Sequence, residues 1–251
     1  MKTIRLLLIP LAVLYAANPL LLTAEDKIES ILEKHASAMG ADRRAKISTM
    51  IETRLVHNRS QTIIQIVYAK KPNKLRVEYL LPRGRVIRGF DGENTWSCME
   101  KTGETKRYIE LKPEEDEQLR ASAITAIEGD LPAAMARAAR IEIRTNEPVE
   151  SGFVMLFITL SECEKLRLKL DRQTNLIAAI YTSQKGKAIK HTLTHYRQID
   201  GIALPLESAT SIDGEEQERT ELSGLQVNVP LDDAFFTAPP KTTALPASRQ
   251  E

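Results

Sequence analysis

At 251 residues, with 35 basic and 34 acidic side chains, the chain is long enough for one large or two small domains and carries almost no net charge. That balance gives no electrostatic reason to expect nucleic acid or anionic lipid as a partner. Apolar content suffices for a globular core, and aromatic residues are sparse.

The N-terminus reads as an export signal. Lys2 and Arg5 precede the apolar run LLLIPLAVLYAA, and NPLLLTA leads to Ala24 before a charged stretch, the three regions of a secretory signal peptide with cleavage after Ala24. The segment from Leu6 to Leu22 is broken by Pro10 and by Asn18-Pro19, and falls short of the roughly 20 residues a membrane span takes. The expected organisation is a signal peptide at 1–24, one domain at 25–240 and a Pro- and Ala-rich disordered tail at 241–251.

Next, EDKIESILEKHASAM places Ile28, Ile31, Leu32 and Met39 at helical spacing, with Gly40 as the stop. Short segments rich in β-branched residues follow: ISTMIETRLV, QTIIQIVYAK, KLRVEYLL, GRVIRGF and NTWSCMEK. HNRS, KPN, PRG and DGE punctuate them, loops too short for parallel crossovers, so an antiparallel meander is expected. In this region Ile64, Ile66 and Tyr68 are read as one apolar face, aligned with Leu75, Val77 and Tyr79 on the neighbouring strand. Arg76, Arg83, Arg85 and Arg88 are read as a solvated outer face rather than a polyanion site.

Residues 113 to 140 change character. KPEEDEQLRASAITAIEGDLPAAMARAAR is rich in Ala, Glu and Leu, with Pro113 suited to a first helical turn and Gly129 and Pro132 dividing two helices. Leu119, Ile124 and Ile127 are expected on the apolar side of the first helix, Leu131 and Met135 on that of the second. Strands then resume, from ARIEIRT and GFVMLFITL to EQERTELSGLQV, joined by RQTN, QKG, IDG and DGE turns. Phe153, Met155 and Phe157 share one face there, as do Leu166, Leu168 and Leu170.

Catalytic and metal signals are weak. His191 and His195 in HTLTH lie on a strand, about 13 Å apart on one face, too far to share an ion. There is no G-x-S-x-G elbow, no H-E-x-x-H and no phosphate loop. No catalytic residue, metal site or cofactor is expected, and no enzyme activity. Cys98 and Cys163 read as buried thiols, although an exported chain also leaves them free to form a disulfide. A curved sheet with one apolar face and thin Ala-rich helices leaves a concavity suited to an acyl chain, each buried methylene contributing about 0.8 kcal/mol.

The order of elements and three local motifs resemble those of the LolA/LolB-like superfamily of lipoprotein-localisation factors. The motifs are AKKPNKLRVEY, the DGENTW turn from Asp91 to Trp96, and LDDAFFTAPP from Leu231 to Pro240; IDGIALP, from Ile199 to Pro205, adds a turn common in the wider LolA-like group. The resemblance implies an α+β fold: an incomplete, half-open antiparallel β-barrel of about eleven strands, with helices covering a hydrophobic cavity. It implies a periplasmic, monomeric carrier that binds lipoprotein acyl chains or other lipids, and that meets transfer partners at the inner and outer membranes. The cavity would be lined by Ile64, Ile66, Leu75, Val77 and Tyr79, by Leu119, Ile124, Ile127, Leu131 and Met135, and by Phe153, Met155 and Phe157. Lys71, just before Pro72, matches a family position where an Arg hydrogen-bonds to the lid; lysine keeps the charge but loses the planar fork. The alternative is an envelope sensor that uses the same fold to bind a regulatory protein.

Overall fold

The computed structural model describes residues 24–104, 106–138, 140–143, 152–161 and 165–240. The signal segment, the tail from 241 and Cys163 lie outside them.

Helix α1 (Ala24–Met39) stops at Gly40, whose φ of 74° is left-handed, and α2 (Ala41–Ala45) follows. A Cβ on Gly40 would come within 2.1 Å of the Gly201 carbonyl oxygen, so only glycine lets the helix end pack on that hairpin. Five strands then run antiparallel: β1 (Thr49–Asn58), β2 (Thr62–Lys70), β3 (Lys74–Leu81), β4 (Gly84–Phe90) and β5 (Thr95–Lys101), with a two-residue β6 (Arg107–Tyr108) at the edge. The insert forms α3 (Pro113–Glu128) and α4 (Asp130–Arg137). The second run comprises β7 (Arg140–Ile143), β8 (Phe153–Thr159), β9 (Lys165–Asp171), β10 (Ile177–Gln184), β11 (Lys187–Ile199), β12 (Ile202–Ile212) and β13 (Glu215–Val227).

Two-residue turns set the register of this half. Lys185-Gly186, Asp200-Gly201 and Asp213-Gly214 all have positive φ at both positions, the type I′ geometry that matches strand twist.

Among the described residues, 13 strands form one sheet in the order β6-β5-β4-β3-β2-β1-β13-β12-β11-β10-β9-β8-β7. Each strand neighbours the next in sequence except β6 and β7, and β1 pairs with β13 in the middle. The two sheet edges, β6 and β7, are therefore consecutive in sequence, and the α3–α4 insert is the connection between them. A connection from one edge to the other crosses a face of the sheet, which is why the Ala-rich insert covers it. The sheet is open, with 13 strands where about eleven were expected; the short edge strands β6 and β7 flank the insert at either side.

The core has two main parts on the helix-covered face. One packs Met50, Val67, Leu75, Val77 and Phe90 under Leu119, Ala123 and Ile127 of α3. The other packs Val154, Leu156, Ile158, Leu168 and Leu170 under Leu131 and Ala134 of α4, with Ile31 and Leu32 of α1 against it. A small third cluster, Ile87, Trp96 and Cys98, lies on the opposite face. There the turn Asp233–Phe236 folds back over the sheet and buries Phe236 completely.

Candidate functional site: a mixed cavity between helix and sheet

A cavity of about 480 Å³ lies between the helices and the sheet, where the two parts of the core meet. Strand alternation decides what its floor presents. The register aligns Glu52, Val67, Val77 and Arg88 across β1 to β4 in one row, and Arg54, Gln65 and Tyr79 in the next. From β10 to β13 come Ile177, Leu193, Leu204, Leu206 and Leu222. Arg88 on β4 and Ile177 on β10 are separated by seven strand spacings, about 34 Å in a flat sheet. They line one small cavity because the sheet curls.

Helix α3 forms the roof, turning Glu115, Gln118, Leu119 and Ser122 toward the cavity. It is pinned at both ends. At its start Glu115 accepts from the Lys112 backbone N–H at 3.0 Å and from Arg88 Nη2 at 2.8 Å. The Lys112 N–H first, and then the Arg88 charge, hold its carboxyl below the usual range. Thr95 donates to Asp116, and Arg120 Nη1 donates to the Glu93 carbonyl at 2.9 Å. At its end, Arg44 donates to the Ile127 carbonyl at 2.8 Å, to Ala203 O at 2.9 Å and to Met39 O at 3.2 Å. One buried guanidinium thus ties the last turns of α1 and α3 to β12. Lys71 adds an ion pair to Glu128 at 2.8 Å and donates to the Arg44 carbonyl at 3.1 Å. Lys71 therefore contacts the insert, but the planar fork is supplied by Arg44. Its position beside Asp42-Arg43 in a short charged helix reads from sequence as solvated surface.

Of the residues expected around an acyl chain, Leu75, Val77, Tyr79 and Leu119 line the cavity. Ile127 and Leu131 are buried in the core beneath the helices. Ile124 and Met135 are exposed, each at 38%, on the far side of their helices. Ile64 and Ile66 lie on the opposite face of the sheet, because β2 presents Gln65, Val67 and Ala69 alongside Tyr79, Val77 and Leu75. Phe153, Met155 and Phe157 face away for the same reason: Val154, Leu156 and Ile158 pair with Leu170, Leu168 and Leu166 in the core. On the outer side Lys169 Nζ sits 3.9 Å from the centre of the Phe153 ring.

The arginines also divide by strand parity. Arg76 and Arg85 are on the outer face, where both bond Glu78, and Arg85 also bonds Glu100 at 2.8 Å. That face is not wet throughout: Phe235 and Phe236 cover it, and the Glu78 side chain is only 5% exposed. Arg83 is exposed in its turn, whereas Arg88 faces inward to the cavity.

Among the described residues no group of three or more His, Cys, Asp and Glu is placed to hold a metal ion. His191 bonds Thr210 Oγ1 at 3.0 Å, and His195 approaches Glu207 at 3.3 Å. Cys98 is a buried free thiol. His35 is buried in the cavity wall, its Nδ1 2.7 Å from the Asn175 carbonyl, and desolvation lowers its pKa.

No family model matches the chain, and no curated protein does. Solved structures do. A DUF1329 family protein from Desulfovibrio piger aligns over 82% of this chain and 97% of its own, at 14% identity and a TM-score of 0.54. A LolA superfamily protein from Nitrosomonas europaea aligns over 84% and 97%, also at 14% identity and a TM-score of 0.54. At that identity the likeness is one of fold, and the chain has the LolA-like fold.

Proposed function

We propose that this LolA-like chain is a periplasmic carrier that takes up acyl chains, from lipoproteins or other lipids, without catalysing a reaction. The observation that carries this reading is the cavity of about 480 Å³ between α3 and the curled sheet, with Leu75, Val77, Leu119, Leu204 and Leu222 in its lining. Volumes of roughly 300–1,000 Å³ are typical of small-molecule sites. Fifteen methylenes moved from water into such a site contribute roughly 12 kcal/mol before the costs of ordering. Insertion and release would need the helical roof to lift, and the contacts of Lys71 and Arg44 with the end of α3 would resist that. Lipoprotein sorting, and transfer partners at the two membranes, belong to the same proposal.

The test is displacement of a fluorescent fatty-acyl probe. Val77, 7% exposed in the cavity floor, is the position to change. Val77→Glu should abolish probe binding while the far-ultraviolet circular dichroism stays native; full retention of binding would reject the cavity as the acyl site. A second reading, a module that binds a regulatory protein, draws on Ile124 and Met135, two large apolar side chains exposed on the outer side of the insert. Loss of a protein partner in the Ile124→Glu variant, with probe binding intact, would favour it.

A further inference from the structure

The lining of the cavity is not uniformly greasy, and its polarity is distributed unevenly. Strands β10 to β12 contribute no charged side chain to it. Strands β1, β2, β4 and β13 contribute Glu52, Arg54, Gln65, Arg88 and Glu218, and the helix above adds Glu115 and Gln118. A site built only to swallow hydrocarbon gains nothing from guanidinium groups in its floor, because each must be desolvated when the chain enters.

Arg88 marks where the polar end is incomplete. Its Nη2 bonds Glu115 at 2.8 Å, and its guanidinium carbon lies 5.9 Å from the centre of the Tyr79 ring. Its Nε is buried with no hydrogen-bond partner among the described residues. A buried donor on a charged group without an acceptor is costly, and calls for a partner the chain does not supply. Size restricts that partner further. A cavity of about 480 Å³ falls within the range of sites that take one small molecule, which favours a single long chain over two or three.

Resting on the reading of this cavity as an acyl site, we propose that it selects a single-chain amphiphile with an anionic head group. The chain lies over β10 to β12, and the carboxylate or phosphate completes the hydrogen bonding of Arg88. A guanidinium matches either anion through charge-assisted bonds.

The experiment is calorimetric titration of the full chain, below micellar concentrations, with four sixteen-carbon ligands and one two-chain lipid. The ligands are palmitate, 1-palmitoyl lysophosphatidate, hexadecanol and hexadecyltrimethylammonium, with dipalmitoyl phosphatidate for comparison. At least one single-chain anion should bind about tenfold or more tightly than the alcohol, the cation and the two-chain lipid. The stronger of the two anions distinguishes carboxylate from phosphate. In the Arg88→Gln/Glu115→Gln variant, which strands no carboxylate, the ratio of anion to hexadecanol affinity should fall to about one. Equal binding of anion, alcohol and cation by the unaltered protein would overturn the head-group assignment and leave the acyl site standing, and needs no variant to fold. Equal or tighter binding of the two-chain lipid would overturn the single-chain assignment. Binding of none of the five would remove the acyl site itself.

Discussion

The guanidinium of Arg44 reaches the carbonyl oxygen of Ile127 at 2.8 Å, joining a five-residue helix near the N-terminus to the last turn of α3. Arg44 is 5% exposed, and its bonds to Met39, Ile127 and Ala203 fall on carbonyls at or next to element ends. Helix C-termini have unsatisfied carbonyls and negative dipole ends, so a cation there is well placed. Arg44→Ala should lower stability by about 3 kcal/mol or more, read from urea unfolding. Amide exchange in the last turn of α3 should rise more than in β1 and β13. Arg44→Lys should recover only part of the loss, because an ammonium cannot reach three divergent carbonyls at once.

The Trp96 ring lies over Gly89 across the β4–β5 ladder, where a Cβ on residue 89 would sit 2.2 Å from the indole. Gly89→Ala should therefore displace the ring and cost about 1–3 kcal/mol. Trp96 is the chain's only tryptophan, so its fluorescence reports the change directly: emission should shift to longer wavelength in the folded variant.

Phe236 is fully buried on the outer face, and its carbonyl accepts from the Trp96 indole N–H at 2.8 Å. Phe236→Ala should cost about 3–5 kcal/mol through the cavity it leaves. Since Phe236 lies on the other side of the sheet from the cavity, probe affinity at a temperature where the variant is folded should not change. A differential scanning experiment with and without probe separates the two effects.

Acid should weaken the fold in two stages. Desolvation, followed by the charge of Arg44, lowers the pKa of His35; its bond to Asn175 only partly offsets this. The unfolded chain therefore binds a proton near pH 6.5 that the folded chain refuses, and stability falls as pH drops below that value. Burial raises the carboxyl pKa values of Asp91 and Glu100, but backbone N–H groups of Asn94 and Glu93 in the first, and Lys106 and Arg85 in the second, win and lower them. Their contribution is complete above about pH 5 and is lost as pH falls through the depressed folded values, below about pH 4. The melting temperature should decline gently from about pH 6.5, then steeply below about pH 4. His35→Gln should remove the first stage and spare the second.

The meander, the helical insert and its division at Gly129 were legible in the sequence, because turns and helix stops are written in local chemistry. Lys185-Gly186, Asp200-Gly201 and Asp213-Gly214 each name a hairpin before any contact is known. The phase of the strands was harder to read. β2 reads TIIQIVYAK, with apolar residues on both faces, so periodicity cannot say whether Ile64 and Ile66 or Val67 and Ala69 look inward. β8 reads FVMLFIT and has the same ambiguity, settled only by pairing Leu156 with Leu168. The charged half of the cavity was hidden for a related reason. Arg88 alternates with apolar neighbours just as a solvent-facing residue would, and only the placement of Glu115 above it makes that side an interior.

The central pairing of β1 with β13 bears on how the chain assembles. Every other strand pair joins neighbours in sequence, so each half-sheet can form from contacts close along the chain, which are quick to find. Met50 must still find Val227, closing a loop that contains both halves of the sheet and the insert. That seam is the slowest contact to make and runs down the middle of the floor, where Glu52 and Arg54 on one strand meet Leu222 and Leu225 on the other. The cavity does not exist until the seam closes, and a half-sheet exposed before then offers an unpaired edge to any other copy of the chain in the same state.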